Sequence, residues 1–135
     1  MKICIIVSNF YPNISKLLLD GAISKLKKNK VSNFKIIKVP GTFEIPVVVS
    51  NLINKYDAFI VLGCVIKGQT SHFHYLCSSV IQALTILSIE FRKPIGNGIL
   101  TCNNKKQAIT RANPKIKDKG GDAAKAAISV FNVIK

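Results

Sequence analysis

"YDAFIVLGCVIKGQTSHFH" occupies Tyr56–His74. From Asp57 to Ile66 it is apolar at nearly every position, with no alternation of polar and apolar residues. An uninterrupted apolar run of this length, stopped by Lys67-Gly68, reads as a strand buried on both faces, the centre of a parallel sheet. Parallel neighbours need crossover connections, most often helices. The stretches on either side supply them.

Upstream, "KICIIV" (Lys2–Val7) is a second buried strand, and "SNFYPN" breaks it with Pro12 as punctuation. From Ile14 the period changes. Leu17, Leu18, Gly21, Ala22 and Leu26 recur at three and four, with Lys25, Lys27 and Lys28 between them, which predicts an amphipathic helix. Phe34–Val39 is a further strand. "PGTFEIP" (Pro40–Pro46) opens on a Pro-Gly turn signal, and Glu44 stands near the start of a helix running to about Lys55, where a carboxylate is favoured. Downstream, a long helix is predicted over Phe73–Phe91 and a fourth strand over Pro94–Leu100, with two glycines in it. Two closing helices are predicted over 103–112 and 120–134. The alternation predicts one α/β domain over residues 1–135, a three-layer sandwich around a four-stranded parallel sheet.

Composition narrows the class. An apolar fraction of 48% is that of a folded globule, and no run of 18 apolar residues suggests a membrane span. Cys4, Cys64, Cys77 and Cys102 form no Cys-x-x-Cys pair, and two of them lie inside apolar runs, so a reducing cytoplasm is expected. The net charge of +14 comes from 18 lysines and only two arginines against six acids. Base readout and phosphate forks favour arginine, and the lysines are spread along the chain. A solvated surface rich in Lys, Ile and Asn accounts for this better than specific nucleic-acid binding. Attraction of an anionic substrate is a third reading.

In open parallel sheets ligands bind past the carboxyl ends of the strands. "SNFYPN", "PGTFEIP" and "KGQTSHFH" all lie there. His72 and His74 are the only histidines. They are two apart, do not share a helix face, and lack a partner at metal spacing, so no metal site is predicted. Thr70 and Ser71 are candidate N-caps, and His72 beside them reads either as a group suited to acid–base work or as an ordinary surface histidine, while His74 reads as exposed. Lys67, Gly68, Gln69, Thr70 and Ser71 form a segment friendly to phosphate. Gly63 and Gly68 have P-loop spacing, but no Gly-Lys-Ser/Thr follows. Arg111 reads equally as a phosphate clamp or as a helix C-terminal cation. Phe10 is either a stacking plate for a planar ligand or a lid on the core. Glu44 is a stronger candidate base than Asp57, since it follows a turn at the right sheet edge.

These segments, taken together, resemble the 6,7-dimethyl-8-ribityllumazine synthase family. "LLDGAISKLKK", "VPGTFEIPV", "YDAFIVLGCVIKGQTSHFHYLC", "GILTCNNKKQAITRA" and "KDKGGDAAKAA" are similar to family segments in the same order along the whole chain. The resemblance implies a flavodoxin-like fold. It implies condensation of 5-amino-6-(D-ribitylamino)uracil with 3,4-dihydroxy-2-butanone 4-phosphate to the lumazine, phosphate and water, with no metal or organic cofactor. Phe10 then matches the aromatic that stacks on the pyrimidine. Thr42, Phe43 and Glu44 match the loop that holds the uracil and ribityl groups, and Cys64, Val65 and Ile66 line the ring pocket. Gln69 and Thr70 match the phosphate loop, His72 the proton-transfer histidine and Arg111 the phosphate clamp. Lys119 matches a residue near the ribityl side. The resemblance further implies a homo-oligomer, a pentamer or a shell of sixty subunits, with Arg111 and Lys119 reaching the pocket from the adjacent chain.

The chain departs from the family pattern at four places. Asn9-Phe10-Tyr11 stands where Arg-Phe-Asn is common. Asn97 stands where many members carry an aromatic that covers the ring from the neighbouring subunit, a stack worth roughly 0.5–1.5 kcal/mol beyond its area. His74 replaces a common acid. The sequence begins almost at its first core strand, so the usual N-terminal extension, which pairs with a neighbour's sheet, is expected to be missing.

Overall fold

Every apolar run singled out above becomes a strand, and every change of period becomes a helix. A computed structural model describes residues 1–135. The elements are β1 (Ile3–Ser8), α1 (Pro12–Lys28), β2 (Phe34–Val39), a 3-10 turn (Thr42–Glu44), α2 (Ile45–Leu52) and β3 (Ala58–Ile66). They continue with α3 (His72–Phe91), β4 (Ile95–Cys102), α4 (Lys105–Ala112) and α5 (Lys119–Ile134). The strands form one parallel sheet in the order β2-β1-β3-β4. This is a flavodoxin-like three-layer α/β sandwich.

β3 is central and buried at its first eight positions. Its side chains alternate between the two layers. Ile60, Leu62 and Cys64 pack with Leu18, Ala22, Ala124 and Ala127 under α1 and α5. Phe59 and Val61 pack with Ile45, Val49, Val80 and Leu84 under α2 and α3. The two glycines of β4 serve this packing. A Cβ on Gly96 would lie 2.0 Å from the carbonyl oxygen of Ala123 and 3.3 Å from the Ala127 side chain. Only a bare backbone lets α5 approach the strand so closely.

Several boundaries differ from the sequence reading for local reasons. Pro12 does not merely end a turn. It is the first residue of α1, where its missing N–H costs nothing and its φ is already helical. Ser71 occupies the N-cap position of α3 but makes no cap bond. Thr70 does the work instead, its hydroxyl accepting from the His72 N–H at 3.3 Å. α4 and α5 are capped by side chains: Asn104 accepts from the Gln107 N–H and Asp118 from the Gly121 N–H.

α3 is the outlier. Over its 20 residues only Val80 and Leu84 are buried, while Tyr75, Ile86 and Ile89 are strongly exposed. By length and composition it is the one helix that could cross a membrane, and 11% of its apolar window is buried within the protein.

Candidate functional site

The chain leaves β1 for one face of the sheet, through α1, and leaves β3 for the other, through α3. A crevice therefore opens between the carboxyl ends of these two neighbouring strands. It widens into a cavity of about 780 Å³, a size that takes a small molecule.

The floor is the end of β3, Cys64–Ile66. One wall follows β1. Phe10 is 67% exposed, so it caps no core, and its ring meets that of Tyr11 edge-on with centroids 4.9 Å apart. Desolvation, and next the nearby Cys64, push the Tyr11 phenol up, so it stays a neutral O–H. The second wall is Gly41 with the 3-10 turn. Thr42 is buried there, Phe43 is exposed and Glu44 is half-buried. The third wall is the first two turns of α3. His72, Tyr75, Leu76 and Ser79 are spaced i, i+3, i+4, i+7 and so share one helix face. The His72 ring makes no hydrogen bond within the chain, leaving both nitrogens available to a ligand.

The floor is chemically quiet. Burial pushes the Cys64 thiol up to about 12, with the neighbouring Cys102 and Cys77 adding to the effect. Burial likewise raises Cys77 and Cys102, the latter against an opposing pull from Arg111. Cys64 is thus an apolar wall at neutral pH, not a nucleophile, because the thiolate is the reactive form.

The sequence-predicted residues divide into two groups. Phe10, Thr42, Phe43, Glu44, Cys64, Val65, Ile66 and His72 line the one cavity. Gln69 and Thr70 lie in the loop that joins its floor to its third wall. Asn97, Arg111 and Lys119 do not line it. Asn97 pairs with Val61, three residues before Cys64 and so roughly 10 Å down the sheet. There it borders a groove between α3 and β4, and its side chain accepts from the Ile99 N–H at 3.0 Å. Arg111 lies on α4, exposed, its guanidinium donating only to the Gln107 carbonyl at 3.4 Å. Lys119 opens α5 and faces Asp122 at 3.7 Å. These three belong to β4 and the helices that follow it, at the edge of the sheet. No group of three or more His, Cys, Asp or Glu side chains is arranged to hold a metal ion.

Tyr11 entered the sequence reading only as a departure from a family pattern. Tyr75, Leu76 and Ser79 did not enter it at all. Their helical spacing from His72 was the available signal.

Fold and site together define a flavodoxin-like α/β protein with a small-molecule pocket at the carboxyl edge of a parallel sheet. Comparison with known proteins narrows this. The family model described as 6,7-dimethyl-8-ribityllumazine synthase matches residues 1–135. The proteins of that name from Mycobacterium sp. (strain KMS) and Cutibacterium acnes are 43% and 36% identical to the chain. The matches cover 96% and 99% of this chain and 82% of each relative. The chain belongs to the 6,7-dimethyl-8-ribityllumazine synthase family.

Proposed function

We propose that this protein condenses 5-amino-6-(D-ribitylamino)uracil with 3,4-dihydroxy-2-butanone 4-phosphate, giving 6,7-dimethyl-8-ribityllumazine, phosphate and water. One observation carries the reading. Phe10, the Thr42–Glu44 turn and His72 come from three separate segments and line one cavity, in a chain that the family model matches from end to end.

The roles follow from chemistry. The uracil ring is planar, and Phe10 offers it an exposed aromatic face beside Cys64–Ile66. Glu44 accepts hydrogen bonds from ribityl hydroxyls, while Phe43 shields that side. The uracil's amine adds to the butanone carbonyl, and loss of water gives an imine. Phosphate is then eliminated, the chain tautomerises, and the second nitrogen closes the ring with loss of another water. Each step moves a proton, and His72 carries protons between nitrogen, carbon and solvent. Gln69 and Thr70 receive the phosphate beside the amino end of α3, where backbone N–H groups and the helix dipole favour an anion. Much of the acceleration comes from holding two reactive partners in contact.

The pocket is shared between subunits. Arg111, Lys119 and Asn97 stand on the β4 side of one chain and complete the cavity of the next, with Arg111 clamping the phosphate through its two-pronged guanidinium. The exposed apolar face of α3 is the surface such an assembly covers. A contact that joins the β4 side of one copy to the cavity of another is head-to-tail and closes as a ring. The assembly is a homopentamer, free or within a sixty-subunit shell.

The test is direct. The purified protein, given both substrates, should produce the lumazine, followed by its absorbance. Complete absence of product from folded, assembled protein would overturn the reading.

A further inference from the structure

The second wall of the cavity is a single 3-10 turn, and a turn of three residues does not hold its own orientation. Three polar side chains are buried in the whole protein: Ser8, Ser15 and Thr42. All three meet beneath this turn. The Ser15 hydroxyl donates to the Ser8 carbonyl. The Ser8 hydroxyl faces the Thr42 hydroxyl at 3.5 Å, the outer limit of a hydrogen bond in which either serves as donor. Both oxygens lie over Gly63 of β3, where an added Cβ would stand 3.0 Å from each. The missing side chain at Gly63 is the space the two hydroxyls occupy.

We propose that Thr42 is a positioning residue, docked through its hydroxyl onto Ser8 and the bare backbone of Gly63, and that this docking aims Phe43 and Glu44 at the ring-and-polyol substrate. Successive side chains of a 3-10 helix point about 120° apart. Once Thr42 is held inward, Phe43 and Glu44 are turned away from it toward the cavity, which both line, Phe43 exposed and Glu44 half-buried. Ser15 extends the support by tying the first turn of α1 to the last residue of β1. Both cavity walls nearest the ring are thereby registered to the same strand end. The kinetic part of this proposal rests on the reaction assigned above, whereas the docking itself does not.

The experiment compares Thr42→Val, which keeps the shape and removes the hydroxyl, with Thr42→Ser, which keeps the hydroxyl, and with Gly63→Ala, which crowds the dock. Hydrogen–deuterium exchange of the 40–45 segment should be faster in Thr42→Val and Gly63→Ala than in wild type, and restored in Thr42→Ser. In Thr42→Val the KM for the ribitylaminouracil should rise about five-fold, the weight of one modest hydrogen bond, while the KM for the butanone phosphate stays at the wild-type value. Unchanged exchange in both Thr42→Val and Gly63→Ala overturns the docking. Equal shifts in both KM values overturn the aiming of Phe43 and Glu44. If Thr42→Val fails to fold, Gly63→Ala gives the same two readings. Faster exchange in a protein whose wild type makes no lumazine supports the docking and removes only the assigned reaction.

Discussion

Raising the pH from 8 to 10 should destabilise this protein through its buried thiols, and the size of the effect can be worked out. Burial raises Cys64 from the ordinary 9.0 to about 12, and Cys4 to about 11 against a small opposing pull from Lys35. Both side chains are almost fully buried. In the unfolded chain these thiols ionise near pH 9, whereas in the folded chain they hold their protons. Above pH 9 the native state therefore binds more protons than the unfolded state, and stability falls as pH rises. The contribution is complete below about pH 9 and is lost progressively toward pH 11 for Cys4 and pH 12 for Cys64. At pH 10 each thiol is one unit past its unfolded value, so the pair costs roughly 2–3 kcal/mol relative to pH 8. Cys77 and Cys102 act in the same direction. Urea unfolding at pH 8, 9 and 10 measures this, with reductant present. Protein concentration must be held fixed, because association shifts apparent stability by mass action. A Cys4→Ala/Cys64→Ala double variant, though less stable at pH 8, should lose much less stability between pH 8 and pH 10. A double variant with the same pH slope as wild type would refute the reasoning, and with it the view of Cys64 as an inert cavity floor.

Other substitutions separate roles. Arg111→Ala should raise the KM for the butanone phosphate strongly and leave that for the uracil nearly unchanged. His72→Ala should lower kcat about ten- to a hundred-fold, at or below the low end for acid–base catalysis, because bound reactants still exchange protons with water. Steady-state kinetics varying each substrate in turn distinguishes the two, and interchangeable profiles would contradict both assignments. Gly96→Ala forces a methyl against the Ala123 carbonyl and should cost roughly 1–3 kcal/mol, seen as a Tm lowered by several degrees. An unchanged Tm would show that α5 shifts freely off the sheet.

What the sequence made legible was set by periodicity. The unbroken apolar run of β3 placed the sheet's centre, and the spacing of Leu18, Ala22 and Leu26 placed α1 against it. Half of the cavity was legible too, because ligand crevices follow strand ends and Phe10, Glu44 and His72 each lie just past one. Local chemistry was harder to read. Thr70 rather than Ser71 satisfies the start of α3, a choice made by backbone angles, and Pro12 begins a helix that composition alone would have delayed to Ile14. The inward turn of Thr42 depends on the missing side chain of Gly63, twenty-one positions away, and no local pattern announces it. Asn97, Arg111 and Lys119 are a different case. In the proposed assembly their place in a pocket depends on a second copy of the chain, and the geometry of one subunit does not bring them to the cavity.

The shared pocket is therefore the claim that most needs a direct test, and mixing two impaired variants supplies it. His72→Ala and Arg111→Ala subunits, dissociated and reassembled together in equal amounts, place an intact His72 beside a neighbour's intact Arg111 at about a quarter of the contacts in a head-to-tail ring. The account predicts that the mixture recovers about a quarter of the wild-type activity at butanone phosphate concentrations too low to saturate Arg111→Ala. A mixture no more active than the mean of its two components, with co-assembly verified by mass, would contradict the account and place the whole site within one chain.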